Sequence, residues 1–437
     1  MKLRFYTTLL AAICICTAAC KQPAKPSLTG KEISHVITRM TEIMIHDVTN
    51  PPLAARFFSY ACLAGYEVTA QNDSSITSMH GVLNNFPLVK KPDSIAGYLW
   101  QLSAILAMLE TAKKMQPSGG KLLTVYEDNF TDSCLRTGYP QAVINSSKKY
   151  ALAISKQILA YAKADGYNKI SNLPRYTPLD KDGCWYPTPP AYIAAVEPYF
   201  KNVRPFTLDS ADQFKPVAPV LFSADKRSAF YQLMLANYQE NPEALQEHRV
   251  IAGFWDCNPF AVQDEGHMSV GLKKISPGAH WLGIAGIACE KAKKSFTATM
   301  QINTLVAIGL MDSFIACWDE KYRSNRIRPE SAIRKYLDVN WKPLLQTPPF
   351  PEYLSGHSCI SATSATILTR YIGNNFAYTD SVETTYGLPS RNFTSFQQAA
   401  VEAGISRFYG GIHFMDAIDN GRAQGLKVGE WVLQKMR

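Results

Sequence analysis

Apolar residues recurring at three- and four-residue steps constrain this chain more than any other feature. Across 139–165, Val143, Ala151, Ile154, Ile158, Leu159 and Ala162 fall on one stripe, a spacing that lines one face of an α-helix and scatters over both faces of a strand. The same period predicts helices over about 31–47, 53–70, 94–115, 226–243, 295–322, 357–372, 395–405 and 416–435. Sustained alternation with β-branched residues is missing almost everywhere. The expected fold is therefore all-α: helical bundles joined by long irregular loops. Two stretches break the period, 166–225, rich in Pro, Tyr and Trp, and 254–280. Long irregular segments in compact proteins often wall or cover a functional site. The first reads equally as such a wall and as a loop sealing apolar surface.

Charge narrows the partners. The net charge of +9 is spread over Lys113/Lys114, Lys148/Lys149, Lys273/Lys274 and Lys291/Lys293/Lys294. A nucleic-acid binder gathers charge on one face of a recognisable module, so nucleic acid is not an expected partner. The N-terminus, "MKLRFYTTLLAAICICTAACK", has basic Lys2 and Arg4, an apolar run from Phe5 to Cys16 and small residues before Cys20. That run is short for a bilayer span and suits a signal peptide. Thr17-Ala18-Ala19-Cys20 resembles a bacterial lipobox, although Thr17 replaces the usual aliphatic residue. The expectation is export across the inner membrane and a lipid on Cys20, with the protein anchored to the outer membrane on its periplasmic or surface side. Membrane contact would come through that anchor alone, and 21–30 is the tether. The most apolar internal stretch, 304–318, contains Asp312 and Ser313 and reads as a buried core helix. Seven cysteines follow Cys20: Cys62, Cys134, Cys184, Cys257, Cys289, Cys317 and Cys359. An odd number without C-x-x-C spacing gives no disulfide framework and argues against a cysteine-based zinc site.

Chemistry gathers in the last third, in three stretches that are each unremarkable alone. "KYRSNRIRPES" (321–331) is the densest basic run, and by itself it is the solvated end of a helix before a proline stop. In "PFPEYLSGHSCISA" (349–362), Ser355-Gly356-His357 open a helix. Free N–H groups and the positive dipole end at that point suit an oxyanion, and Gly356 allows close approach. "GISRFYGGIHFMDAIDNG" (404–421) separates Arg407 from His413 by a Gly-Gly bend. Taken together they supply three cations (Lys321, Arg328, Arg407), neutral donors at Ser355 and Gly356, and two imidazoles, His357 and His413. That set fits an oxyanion held by Arg forks, with His for proton transfer or direct bonding. No carboxylate cage for a divalent cation accompanies it. His267 and His280 are weaker pocket candidates, as are Asp256 and Asp264 as partners for Arg328 or Arg407, and each reads better as structural. Glu352 reads as facing solvent, and Arg323 and Arg326 as solvated or structurally paired.

K-x6-R-P, P-x-x-S-G-H and S-R-x5-H, in that order, resemble the three-part signature of one superfamily. It unites vanadium-dependent haloperoxidases, type two phosphatidic acid phosphatases and bacterial acid phosphatases. Residues 44–68 and 185–206 look like the long N-terminal half of its haloperoxidase-like branch. The resemblance implies a helical-bundle fold of that type, divided into 31–275 and a site-bearing 276–437. It implies that Lys321, Arg328, Ser355, Gly356 and Arg407 hold equatorial oxygens. His413 would be the axial vanadium ligand or the phosphorus nucleophile, and His357 the acid–base residue. Trp318 and Phe350 resemble the pocket aromatics of chloride-oxidising members. The superfamily usually has Asp four residues after the last His. Here that position is Ala417, with Asp416 and Asp419 nearby as candidates to orient His413, and the misplacement counts against efficient phosphatase action. The preferred expectation is a haloperoxidase-like enzyme using vanadate, hydrogen peroxide and halide. A metal-independent phosphatase on monoesters or lipid phosphates, with no cofactor, is the alternative. A non-catalytic oxyanion-binding surface protein is the third.

Overall fold

The computed structural model describes residues 28–240, 245–265, 268–272 and 274–437. Residues 1–20, read above as a signal peptide ending in a lipidated Cys20, most of the expected tether and His267 lie outside the described residues. Fourteen helices are described: α1 (Gly30–His46), α2 (Pro51–Ala70), α3 (Trp100–Met115), α4 (Gly119–Arg136), α5 (Gln141–Lys163), α6 (Tyr167–Ile170), α7 (Ala229–Gln239), α8 (Gln246–Phe254), α9 (Pro277–Lys291), α10 (Phe296–Ser324), α11 (Pro329–Tyr336), α12 (Gly356–Ile372), α13 (Phe396–Tyr409) and α14 (Met415–Lys435). Two short antiparallel hairpins, β1 (Val262–Glu265) with β2 (Met268–Gly271) and β3 (Tyr378–Asp380) with β4 (Arg391–Phe393), are the β-structure among them. The fold is all-α.

Five of these helices, α4, α6, α8, α9 and α11, lie outside the stretches read as helical from the sequence. α4 buries only Gly119, Leu123, Glu127 and Cys134, a set in which only Leu123 and Cys134 are apolar side chains. α6, α8 and α11 are short, at 4, 9 and 8 residues. α9 is apolar nearly all round, which removes the contrast that a stripe needs. Its start is still marked: Ser276 caps it, accepting from Ala279 N, and Pro277 follows in the first turn.

α10 is the axle. It is long and apolar enough to cross a membrane, yet 94% of its most apolar window is buried inside the protein. It packs on α2 on one side and α12 on the other. Polar groups along it are paired across helices: Ser59 Oγ donates to the Ala307 carbonyl at 2.7 Å, and Ser313 meets Thr363 at 2.6 Å. α14 crosses α12 closely at Gly425, where a side chain would lie 2.0 Å from the Cys359 carbonyl oxygen. Only glycine lets these backbones approach so far.

The irregular 166–225 segment acts as a brace. The Val196 carbonyl accepts from Trp318 Nε1 at 3.2 Å and from the Tyr322 hydroxyl at 2.7 Å, so the segment covers the C-terminal end of α10.

Candidate active site

α10 stops at Asn325, whose backbone is left-handed (φ 53°) and whose N–H donates to the Lys321 carbonyl. Arg326 to Arg328 then run extended, and Pro329 opens α11. This is how K-x6-R-P folds: one cation on the last helical turn and another just before the next helix. P-x-x-S-G-H folds as a helix start, with Ser355 as the cap of α12; its Oγ accepts from Ser358 N at 3.3 Å. S-R-x5-H ends α13 and turns at Gly411 (φ 71°), and the Ile412 and His413 N–H groups both return to the Arg407 carbonyl.

The second and third of these turns line one cavity, and the first stands behind it, with Arg328 Nη1 3.1 Å from His413 Nε2. Gly356, His357, Arg407 and His413 line it, with Trp318 and Phe350, whose rings lie 4.9 Å apart. Pro51, Phe314 and the segment Cys257–Phe260 close it. Part of the irregular 254–280 stretch is thus a wall of the cavity, whereas none of 166–225 reaches it.

His413 is held at both nitrogens. Nδ1 lies 2.9 Å from Glu352 Oε1, and Nε2 lies 3.1 Å from Arg328 Nη1. An ionised carboxylate only accepts, so Nδ1 carries the proton and the Nε2 lone pair faces Arg328. Burial, helped by Arg328 and Lys321, holds the ring well below the usual histidine range. His357 is pushed down in the same way, by burial and then by Arg407 and His413, and one of its ring nitrogens donates to the Trp255 carbonyl. Its other nitrogen, Nε2, is buried without a partner.

The cations share a shortage of counter-charge. Arg328, fully buried, donates to the carbonyls of Phe350 (2.9 Å) and Ile412 (2.8 Å), while its Nη2 is buried and unpaired. Burial pushes it down to about 10. Arg407 donates to the Trp255 carbonyl at 2.7 Å and to Ser406 Oγ at 3.0 Å. Lys321 spends its three donors on the carbonyls of Pro351 (3.0 Å), Glu352 (3.1 Å) and Leu354. Burial, with Arg328 adding to it, lowers its ammonium to about 7. Among the described residues, no carboxylate lies within ion-pair distance of any of the three. A buried charge costs several kcal/mol unless compensated, so three together, with unpaired Arg328 Nη2 and His357 Nε2, mark a place for an anion.

Several expectations are corrected here. Glu352 does not face solvent; it is fully buried and holds His413 Nδ1 and the Phe414 N–H, while its other oxygen accepts from Arg326 Nε at 2.6 Å. It supplies the carboxylate that Ala417 lacks. Asp416 reaches His413 only indirectly: it takes Arg326 at 2.6 and 2.7 Å, and Arg326 takes Glu352. Asp419 is exposed on α14, one helical step further round, and orients nothing. Lys321 stands behind the cavity wall, tied to the 351–354 backbone. Ser355 Oγ is likewise turned to Ser358, accepting from its hydroxyl at 2.9 Å. His280 and Asp256, by contrast, are paired as the structural reading had them: His280 with Asp380 at 2.8 Å, outside the cavity lining, and Asp256 with Lys274. Glu352 carried one usable signal in the sequence: a lone carboxylate inside a proline-rich turn three residues before the Ser-Gly-His cap.

The donor set fits vanadate: Arg328 Nη2 and His357 Nε2 are buried without a partner, and Gly356, His357, Arg407 and His413 line the same cavity. Comparison with known proteins points the same way. The family model for the VCPO second helical-bundle domain matches residues 301–437. A bacterial vanadium-dependent iodoperoxidase has a similar structure, with TM-score 0.88 and 41% identity over 94% of this chain and 97% of that one. The holo and apo structures of a bacterial vanadium-dependent chloroperoxidase share the fold, each at TM-score 0.66 and 14% identity, over 89% of this chain and 93% or 95% of theirs. No curated protein matches the sequence. An identity of 41% sustained over nearly the whole of both chains is a likeness of family as well as fold: the chain belongs to the vanadium-dependent haloperoxidases.

Proposed function

We propose that the protein oxidises halide with hydrogen peroxide at a vanadate bound by Arg328, Arg407, Gly356 and His413. The observation that carries this reading is the group of three buried cations without carboxylate partners around two imidazoles. Vanadate, when bound, supplies the Lewis-acid centre on which peroxide becomes an oxidant of halide. The chain's own residues prepare that centre. Glu352 keeps the Nδ1 proton of His413 in place, so Nε2 carries a lone pair that accepts from Arg328 Nη1 at 3.1 Å and would pass to the metal when Arg328 turns to the anion's oxygens. Arg328 Nη2 and the Arg407 fork offer charge-assisted hydrogen bonds to anion oxygens. His357, neutral near pH 7, presents an unprotonated Nε2 that can take a proton from peroxide and return it later. Lys321 acts from behind, holding the 351–354 carbonyls while adding positive charge to the pocket.

Iodide is the halide we put first, because the relative at 41% identity is an iodoperoxidase. The Trp318 and Phe350 pair keeps chloride as the contrast. Vanadate reconstitution followed by halogenation of a phenolic dye with iodide, bromide and chloride tests the reading. Turnover in the wild type that needs vanadate and vanishes in His413→Ala supports it; turnover without vanadate sinks it.

One observation favours a second reading. A carboxylate on Nδ1 of His413 would also serve a phosphohistidine intermediate, and Glu352 fills the place that the missing Asp left open. Hydrolysis of a chromogenic phosphomonoester, blocked by vanadate, would put phosphatase action first. Export and anchoring rest on the leader alone, and loss of fatty-acid labelling in Cys20→Ala is their test.

A further inference from the structure

A second cluster, sharing only Cys257 with the cavity lining, gathers three metal-binding atoms from distant parts of the chain. Cys257 follows α8, His280 sits in the first turns of α9, and Glu383 lies in the turn after β3. Cys257 Sγ is 3.4 Å from His280 Nδ1 and 3.6 Å from Glu383 Oε1, and Nδ1 is 3.4 Å from the same Oε1. The triangle is nearly equilateral. Bonds of about 2.3 Å to sulfur and about 2.0–2.2 Å to nitrogen and oxygen put the ligand atoms of a tetrahedral zinc about 3.3–3.6 Å apart. The three edges match that requirement.

Two further observations point to a cation. His280 Nε2 is held by Asp380 Oδ2 at 2.8 Å, which turns Nδ1 toward Cys257 and Glu383; this carboxylate–histidine arrangement is the usual support of a metal-bound imidazole. The charge is also unbalanced. His280 and Asp380 are fully buried and Glu383 is 5% exposed. Among the described residues, no lysine or arginine pairs with either carboxylate. One imidazole therefore faces two buried carboxylates and a thiol.

We propose that Cys257, His280 and Glu383 bind one divalent cation of the zinc type, with Asp380 orienting His280. The thiol proton leaves to solvent when the metal binds, and the thiolate, imidazole and carboxylate occupy three of four positions. The site joins α8, α9 and the β3 turn, three segments with no covalent link nearby. It also sits two residues beyond Trp255, whose ring stacks on His280 at 4.7 Å and whose carbonyl holds Arg407. Its place is structural: it fixes the backbone that positions the anion pocket.

The test uses the full chain, stripped with a chelator and titrated with zinc against a colorimetric competitor, and separately loaded with cobalt. One equivalent per chain is expected, with a thiolate-to-cobalt absorption band in the near ultraviolet. Cys257→Ala should lose both, and Asp380→Asn should weaken zinc binding about 10–100-fold. No zinc equivalent in the wild type, or a cobalt complex without the thiolate band, overturns the proposal. So does an unchanged titration in Cys257→Ala or in Asp380→Asn. If Cys257→Ala does not fold, the wild-type cobalt band and the Asp380→Asn titration decide the matter alone.

Discussion

Arg326 and Arg328 are two residues apart, 3% and 0% exposed, and opposite in chemistry. Arg326 lies between the rings of Tyr353 and Phe414, its guanidinium shared between Glu352 and Asp416. Its charge is fully answered inside the protein. Arg328 lies over Phe350 and touches carbonyls and a neutral histidine, with one nitrogen left over. The difference separates scaffold from site. A buried cation with two carboxylates locks loops together, whereas one with none keeps its field for a ligand. Glu352 joins the two layers, since one oxygen serves Arg326 and the other His413.

Substitutions can break this division, beginning with the largest effect. His413→Ala removes the atom to which the anion would bond, so vanadate-dependent dye halogenation should fall to background while circular dichroism stays helical. Arg326→Met leaves Glu352 and Asp416 facing each other in a buried site. Unfolding in denaturant should show a loss of about 3–5 kcal/mol, the usual cost of removing one partner from a buried pair. Arg328→Gln should do the reverse, costing about 2–5 kcal/mol of vanadate affinity, measured by calorimetry, with little change in the unfolding midpoint. If Arg328→Gln destabilises the fold as much as Arg326→Met, the two layers are not distinct.

Glu352→Gln is a smaller and more diagnostic change. It keeps the shape but lets Nδ1 of His413 lose its fixed proton, and it should lower vanadate affinity or turnover about 10–100-fold. The smallest effect is with pH. Burial and the Arg407 charge hold His357 well below the ordinary histidine value of about 6.5. A bound anion adds negative charge beside it and raises its proton affinity. The bound state then takes up a proton that the free state does not hold, so anion affinity should rise as pH falls from about 8 toward about 6. Against inorganic phosphate or vanadate the slope should stay under tenfold per pH unit, and His357→Gln should flatten it.

The sequence by itself determined the all-α class, because burying one face of a helix forces a three- and four-residue apolar step that any reader can count. It also marked the short turns that form the candidate site. A helix end before Pro329, a Ser-Gly-His cap and a Gly-Gly bend are local structures, written in neighbouring residues. What a buried side chain faces is not local. Glu352 reads as a loop carboxylate until the turn between α13 and α14 places His413 at 2.9 Å from it. Lys321 reads as an anion grip until the 351–354 carbonyls close on its ammonium. Cys257, His280 and Glu383, spread over 126 positions between the first and the last, converge only once α8, α9 and the β3 turn have packed. Pairing among buried charges is settled by the packing of segments remote in sequence, and only the tertiary structure decided it.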